Sequence, residues 1–398
     1  MDSNKEISCP TTPGLSQDGG FRPGFSWSDL LHDPSANWHI WGWLLCLLCL
    51  LITWIISITV IIKHLRNYYE PEIQRHKLRV LLFPPFYSTL AWISYLRYDY
   101  ATTIIFFATL FEAFAVYNLY TGLQAYLRPY RDENEGVKEE AHPTVMPLIK
   151  IHVKSRWGMH YRIITDILVY QFPLWSVFDA FISIFAELKG RYCADSYSFK
   201  GAHVYLTIIN FIALSLIISA LFTYLAVYKD EWKRARISAH GFFWCVKGPI
   251  MINFYIGTLL LSGLAYAGVI HGTDGSHSSD GLAWSTEAVK NGLEVIIECV
   301  VMTVFMGLMT KYFGPQDSIR RGLSTQGALE SDDQFYYNSN VNGDNHGKLS
   351  FGAAFYDAYI NYIPEFFRNV VYCGKDSREL AKKRARMREQ KKMEAINT

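Results

Sequence analysis

Apolar residues gather in seven stretches of the chain, 41–62, 80–95, 101–126, 161–186, 203–228, 242–270 and 287–312, separated by polar links. A helix rises about 1.5 Å per residue, so roughly 20 apolar residues cross a hydrocarbon core about 30 Å thick. The stretches therefore read as membrane helices. Pro84 and Pro85 lack backbone donors and are expected to kink the second span near its start. The links after the first, third and fifth spans carry fifteen Lys and Arg, against four in the outer links. Basic residues stay on the cytoplasmic side. The expected fold class is all-α, a polytopic membrane protein with seven transmembrane helices, its N-terminus outside or luminal and its C-terminus cytoplasmic.

The same pattern divides the chain. Residues 1–40 form a polar non-cytoplasmic segment and 41–312 the transmembrane domain. Residues 313–350, rich in Gly, Ser, Asn and Asp, are expected to be a disordered cytoplasmic linker. In 351–398, Phe351, Ala354, Phe355, Ala358, Tyr359 and Tyr362 recur at helical spacing, with Asp357, Asn361 and Glu365 on the other side. An amphipathic aromatic helix is expected there, broken at Pro364, with a basic arm behind it suited to anionic lipid. Composition agrees with a membrane class: of 398 residues, 50% are hydrophobic and only 19% charged, below the roughly 25% of soluble domains. The first apolar run is too long for the core of a cleavable signal peptide.

Against this apolar background the polar residues stand out. Glu112 sits in the middle of the third span, where an ionised side chain costs roughly 2.5–3.5 kcal/mol. It must face protein or water, either as part of a polar cavity or relay, or protonated and hydrogen-bonded to a neighbouring helix. Asn118, Asp166, Asp179, Asn210, Lys247, Asn253, Glu294 and Glu298 lie in spans too, and together with Glu112 they are the candidate substrate pathway. Glu294 and Glu298 are one turn apart on one face. Lys247 can neutralise one of the acids or snorkel to the cytoplasmic headgroups.

Other chemistries find little support. Cys46, Cys49, Cys245 and Cys299 fall in apolar spans and read as small buried residues, while Cys9 and Cys193 are candidates for pairing on the outer side. There are no paired CxxC motifs or His clusters, so no metal and no cofactor are expected, and no nucleic-acid partner either. A G-protein-coupled receptor would carry Asp-Arg-Tyr where Gln124, Ala125 and Tyr126 stand. A retinal protein needs a deep lysine in the last span, where Lys290 and Lys311 lie only near the ends. Asp166 and Asp179 are about 20 Å apart along one helix, too far to share a proton as a hydrolytic pair. No enzymatic constellation is expected.

Several stretches resemble one family. Arg79, Leu81, Pro84, Tyr87, Ser88 and Trp92 follow the Arg-x-Leu, Pro-x-Tyr-Ser, Trp pattern of the organic solute transporter alpha / TMEM184 family. Glu112, Ala113, Phe114, Tyr117 and Asn118 match its third span, Tyr205 to Ile209 its fifth, Cys245, Val246 and Lys247 its sixth, and Glu298 its acidic position in the seventh. The resemblance covers 77–312. It implies transport of amphipathic organic solutes or lipids, steroid conjugates in the best-known branch, with a small single-span subunit or a second copy as partner. The cysteine-rich run of animal members is absent from 127–160, so the chain is similar to the fungal-like branch. Those relatives imply a vacuolar or other endomembrane location and a cytosolic tail that binds a ubiquitin-like autophagy protein. In that reading Phe351, Phe355, Tyr359, Tyr362, Phe367 and Val370 would be the tail's binding residues; in the other, the tail helix rests on the bilayer. Cys373 is a candidate acylation site.

Overall fold

Long apolar segments must satisfy their own backbone groups in lipid, and helices do so. In a computed structural model the helices are α1 Trp27–His32, α2 Trp38–Arg66, α3 Pro71–Val80, α4 Phe83–Leu96, α5 Ala101–Glu133, α6 Met159–Leu188, α7 Ala202–Val227, α8 Lys229–Arg234 and α9 Ala239–Ile252. A π-helix, Asn253–Leu261, continues α9 into α10 Ser262–Tyr266, and α11 spans Thr286–Tyr312. A short α12 over 316–322 follows, then α13 Phe351–Phe355, which runs into a second π-turn, Tyr356–Ile360. Between α5 and α6 lies a small antiparallel hairpin, β1 Thr144–Val145 and β2 Ile149–Lys150. The structure describes residues 27–32, 34–35, 37–96, 101–134, 137–145, 149–150, 152–189, 191–192, 199, 201–273, 284, 286–322 and 348–361.

Among these, five helices are long and apolar enough to cross a membrane: Trp38–Arg66, Met159–Ala186, Ala202–Val227, Ala239–Tyr266 and Ala288–Gly322. The third expected span lies within α5, whose 33 residues extend about 50 Å. The second is shorter than expected. Its 14 residues in α4 reach about 21 Å, less than the hydrocarbon thickness. The two prolines do not kink it. Pro84 and Pro85 sit in the first turn of α4, where a missing N–H breaks no intrahelical bond, so the chain turns at Leu81 and Leu82 instead.

Two helices organise the bundle. α5 packs against α3, α4, α6 and α9, while α11 packs against α2, α4, α9 and the first π-helix. Gly241 and Gly248 let α9 press onto α11, since a Cβ on either would overlap the ring of Tyr312 or Phe305. The outer faces stay apolar: Leu48 and Ile55 of α2, Phe178 and Phe185 of α6 and Ile212 of α7 are all about half exposed or more. Such a belt is what lipid rather than water requires.

The link after α2, read from its charges as cytoplasmic, contains α3. Gln74 fixes the entry: its Oε1 accepts from the backbone N–H groups of Tyr69 and Glu70 at 2.8 Å each, and its Nε2 donates to Asn67 O at 2.7 Å. The junction of α2 and α3 then anchors the segment that follows α11. Arg321 of α12 forms a two-point pair with Glu70 at 2.8 Å, and Phe313 O lies 2.6 Å from His64 Nε2. Residues 313–322, the start of the expected linker, are therefore folded; 323–347 fall outside the described residues. Cys9, Cys193 and Cys373 do too.

The tail helix also docks on α3, through the alanines and Tyr359 of its expected apolar side but not through that side's phenylalanines. Ala354 and Ala358 are fully buried against Leu65, Tyr68 and Leu78, while Phe351, Phe355, Tyr356 and Ile360 point outward. Asp357, placed by its spacing on the solvent side, turns inward and accepts from Tyr68 Oη at 2.7 Å. The physical reason is backbone approach. Small alanines bring the helix close enough for Arg79 Nε to donate to Ala358 O at 2.7 Å, and Tyr359 Oη reaches Leu78 O at 3.3 Å.

Candidate functional site

The bundle's centre holds a polar cluster contributed by α4, α5, α9 with its π-helix, and α11. Pro249 removes a backbone donor within α9, and four residues on the chain widens into π geometry, a local register change frequent at functional sites. Lys247 lies six residues before that change. It is fully buried, so it does not snorkel. Its Nζ stands 3.9 Å from the centroid of the Phe172 ring and has no hydrogen-bond acceptor among the described residues. The opposite charge acting on it through space is Glu112 of α5, which keeps part of its surface accessible.

Glu298 of α11 is buried. Its Oε1 accepts from Tyr87 Oη of α4 at 3.2 Å, and its Oε2 has no hydrogen-bond partner among the described residues. Glu112 and Glu294 are near enough for their charges, with that of Glu298, to act on the Tyr87 phenol. Gly257, in the π-helix, faces Glu294: a Cβ there would stand 2.9 Å from its Oε1. Asn253 opens the π-helix, buried, with no hydrogen-bond partner for either side-chain amide atom among the described residues. An unmet buried amide or carboxyl oxygen costs about 1–3 kcal/mol. Lys247, Asn253 and Glu298 thus present donors and acceptors that the protein does not consume.

The other expected pathway residues lie elsewhere and serve helix contacts. Asp166 accepts from Tyr120 Oη at 2.6 Å and Gln124 Nε2 at 2.8 Å, clamping α5 to α6. Asp179 Oδ2 accepts from Asn210 Nδ2 at 2.8 Å, and Asn210 Oδ1 accepts from Trp175 Nε1, tying α6 to α7. Asn118 donates to Phe114 O at 2.7 Å and its Oδ1 lies 3.0 Å from His76 Nδ1. Two residues central to this picture carry no signal as pathway residues in the spacing: Tyr87, legible only as a family match, and Gly257. A small cavity of about 20 Å³ lies between α5, α6 and α7, lined by Arg131, Arg156, Arg162 and Tyr224, away from the central cluster.

Of the expected tail residues, Phe351 and Phe355 are half exposed and Tyr359 is held by Leu78; Tyr362, Phe367 and Val370 lie outside the described residues.

The Asn118 contact carries a pH consequence. His76, in α3, is buried beside Arg79, and burial followed by that charge lowers its pKa from the ordinary 6.5 to about 3. A histidine held neutral in the fold contributes stability that is full above about 6.5 and lost as the pH falls toward 3. Each pH unit within that window removes up to about 1.4 kcal/mol. Thermal melts of the purified protein between pH 7 and pH 4.5 should therefore fall less steeply for His76→Gln than for the parent. Parallel slopes would show that His76 is not the group responsible.

No solved structure matches the chain. Its residues 42–318 match the family model of the organic solute transporter Ostalpha, so that with more than half its length covered the chain belongs to this family and is an integral membrane protein of transporter type.

Proposed function

We propose that the cluster of Tyr87, Glu112, Lys247, Asn253, Glu294 and Glu298 is the middle of a pathway for amphipathic organic solutes of the steroid-conjugate type. The observation that carries this reading is Lys247: a buried ammonium whose Nζ has no hydrogen-bond acceptor among the described residues. An anionic headgroup supplies that acceptor, and the surrounding aromatic rings suit a rigid apolar body. The neighbouring carboxyls can in turn accept from hydroxyls on the same solute. The pathway runs through seven crossings, with α4 and α5 completing the five apolar helices, and the basic links face the cytoplasm of a vacuolar or other endomembrane.

The test is flux. In proteoliposomes, Glu112→Ala should reduce uptake of a steroid sulfate tenfold or more relative to the parent, with equal amounts of folded protein inserted. Equal uptake by the two would remove Glu112 from the pathway.

A further inference from the structure

Two histidines and a carboxylate that stand up to twelve positions apart meet on one face of the hairpin between α5 and α6. Ala141 and Val153 exchange both backbone hydrogen bonds at 2.9 Å, which makes them a hydrogen-bonded antiparallel pair. The next pair toward the turn is His142 opposite His152, in the non-hydrogen-bonded register, where facing Cα atoms come closest, about 4.5 Å. Glu140 precedes His142 by two residues and so shares its face. The side chains follow this register: the imidazoles stack with centroids 4.6 Å apart, and His152 Nε2 lies 3.4 Å from Glu140 Oε2.

We propose that Glu140, His142 and His152 form a binding site for a divalent transition metal of the Zn²⁺ class, with water in the fourth position. A ligand atom from each of the three already lies within 4.8 Å of the others. Zinc bonds of about 2.1 Å in tetrahedral geometry hold ligands about 3.4 Å apart. The His152 and Glu140 atoms stand at that separation, and His142 closes the remainder by side-chain rotation, to which exposure offers little resistance. Two imidazoles and one carboxylate favour zinc, copper or nickel over the all-oxygen coordination that calcium and magnesium take. Lys154 stands across the ladder from Glu140 and is its natural competitor for the carboxylate. It makes no ion pair with Glu140 among the described residues.

The site is also seated on a rigid base. Next to Glu140, Glu139 pairs with Arg156 at 2.8 Å and accepts from Trp157 Nε1 at 3.0 Å, and Arg156 reaches Glu231 of α8 at 2.9 Å. A metal holding the two strands together would therefore stiffen the hairpin against the ends of α7 and α8.

The experiment uses the full chain, purified in detergent, stripped with a chelator and titrated calorimetrically with Zn²⁺ at neutral pH. One equivalent should bind, and His142→Ala and His152→Ala should each weaken binding tenfold or more. Hydrogen exchange gives a second reading: Zn²⁺ should slow the amides of Ala141 and Val153 in the parent and leave them unchanged in the doubly substituted protein. No saturable binding, or an equivalent that survives in the double variant at parental affinity, would overturn the site. Neither measurement involves flux, so the outcome is independent of the transport reading.

Discussion

Lys247→Met is expected to abolish solute flux and to destabilise the protein by roughly 3 kcal/mol, the low end of what removing one partner of a buried charge pair costs. The size follows from position. Lys247 is fully buried and Glu112 is the opposite charge acting on it, so removing the ammonium leaves a carboxyl in the bundle without its compensating cation. Pairing the substitution with Glu112→Gln separates the two roles. The double variant removes both charges and should recover most of the lost stability, since coupled residues are not additive, while flux stays absent because the donor to the solute's anionic headgroup is gone. Denaturation of the solubilised proteins measures the first effect and vesicle uptake the second. A single variant as stable as the parent would mean that Glu112 and Lys247 do not compensate each other.

Gly257→Val acts on the same cluster without touching a charge. The Cβ stands 2.9 Å from Glu294 Oε1 and 3.1 Å from its Cγ, so the carboxylate must leave its place beside Gly257. Overpacking of this kind costs about 1–3 kcal/mol, within what a folded membrane protein survives, and the expected functional loss is tenfold or more in uptake. Gly263, one helix further along, is the control: nothing lies within 4 Å of a Cβ there, so Gly263→Ala should transport like the parent. Normal flux in Gly257→Val would show that the position of Glu294 is unimportant to passage.

The long apolar elements were legible in the sequence because lipid imposes one simple rule on them. The expected 41–62, 203–228 and 287–312 correspond to α2, α7 and α11 with ends that differ by a few residues. The central charges were legible for the same reason, since Glu112, Lys247 and Glu298 are conspicuous in apolar surroundings. What the pattern does not show is which polar residues meet. Asp166, Asp179 and Asn210 look like Glu112 in a one-dimensional reading, yet each finds a partner on the adjoining helix and becomes a clamp. Asn118 pairs with His76, which lies in a link whose basic residues gave its side of the membrane but not the amphipathic α3 within it.

Register hides in the same way. The π-turn at Asn253 has no compositional mark, and the opposition of His142 to His152 appears only once Ala141 is known to pair with Val153. In the tail, helical spacing identified an amphipathic helix but not which part of its apolar side makes contact. The alanines, rather than the phenylalanines, lie against α3, because Arg79 reaches the backbone only where the side chains are small.

The pathway is tested most directly by a cryo-electron microscopy map of the protein in lipid nanodiscs saturated with a steroid sulfate. Density for the solute should appear between α4, α5, α9 and α11, its sulfate within hydrogen-bond distance of Lys247 Nζ. A solute bound only elsewhere, in the arginine-lined cavity between α5, α6 and α7 or on the outer apolar faces, with the central cluster closed and unliganded, would contradict the account.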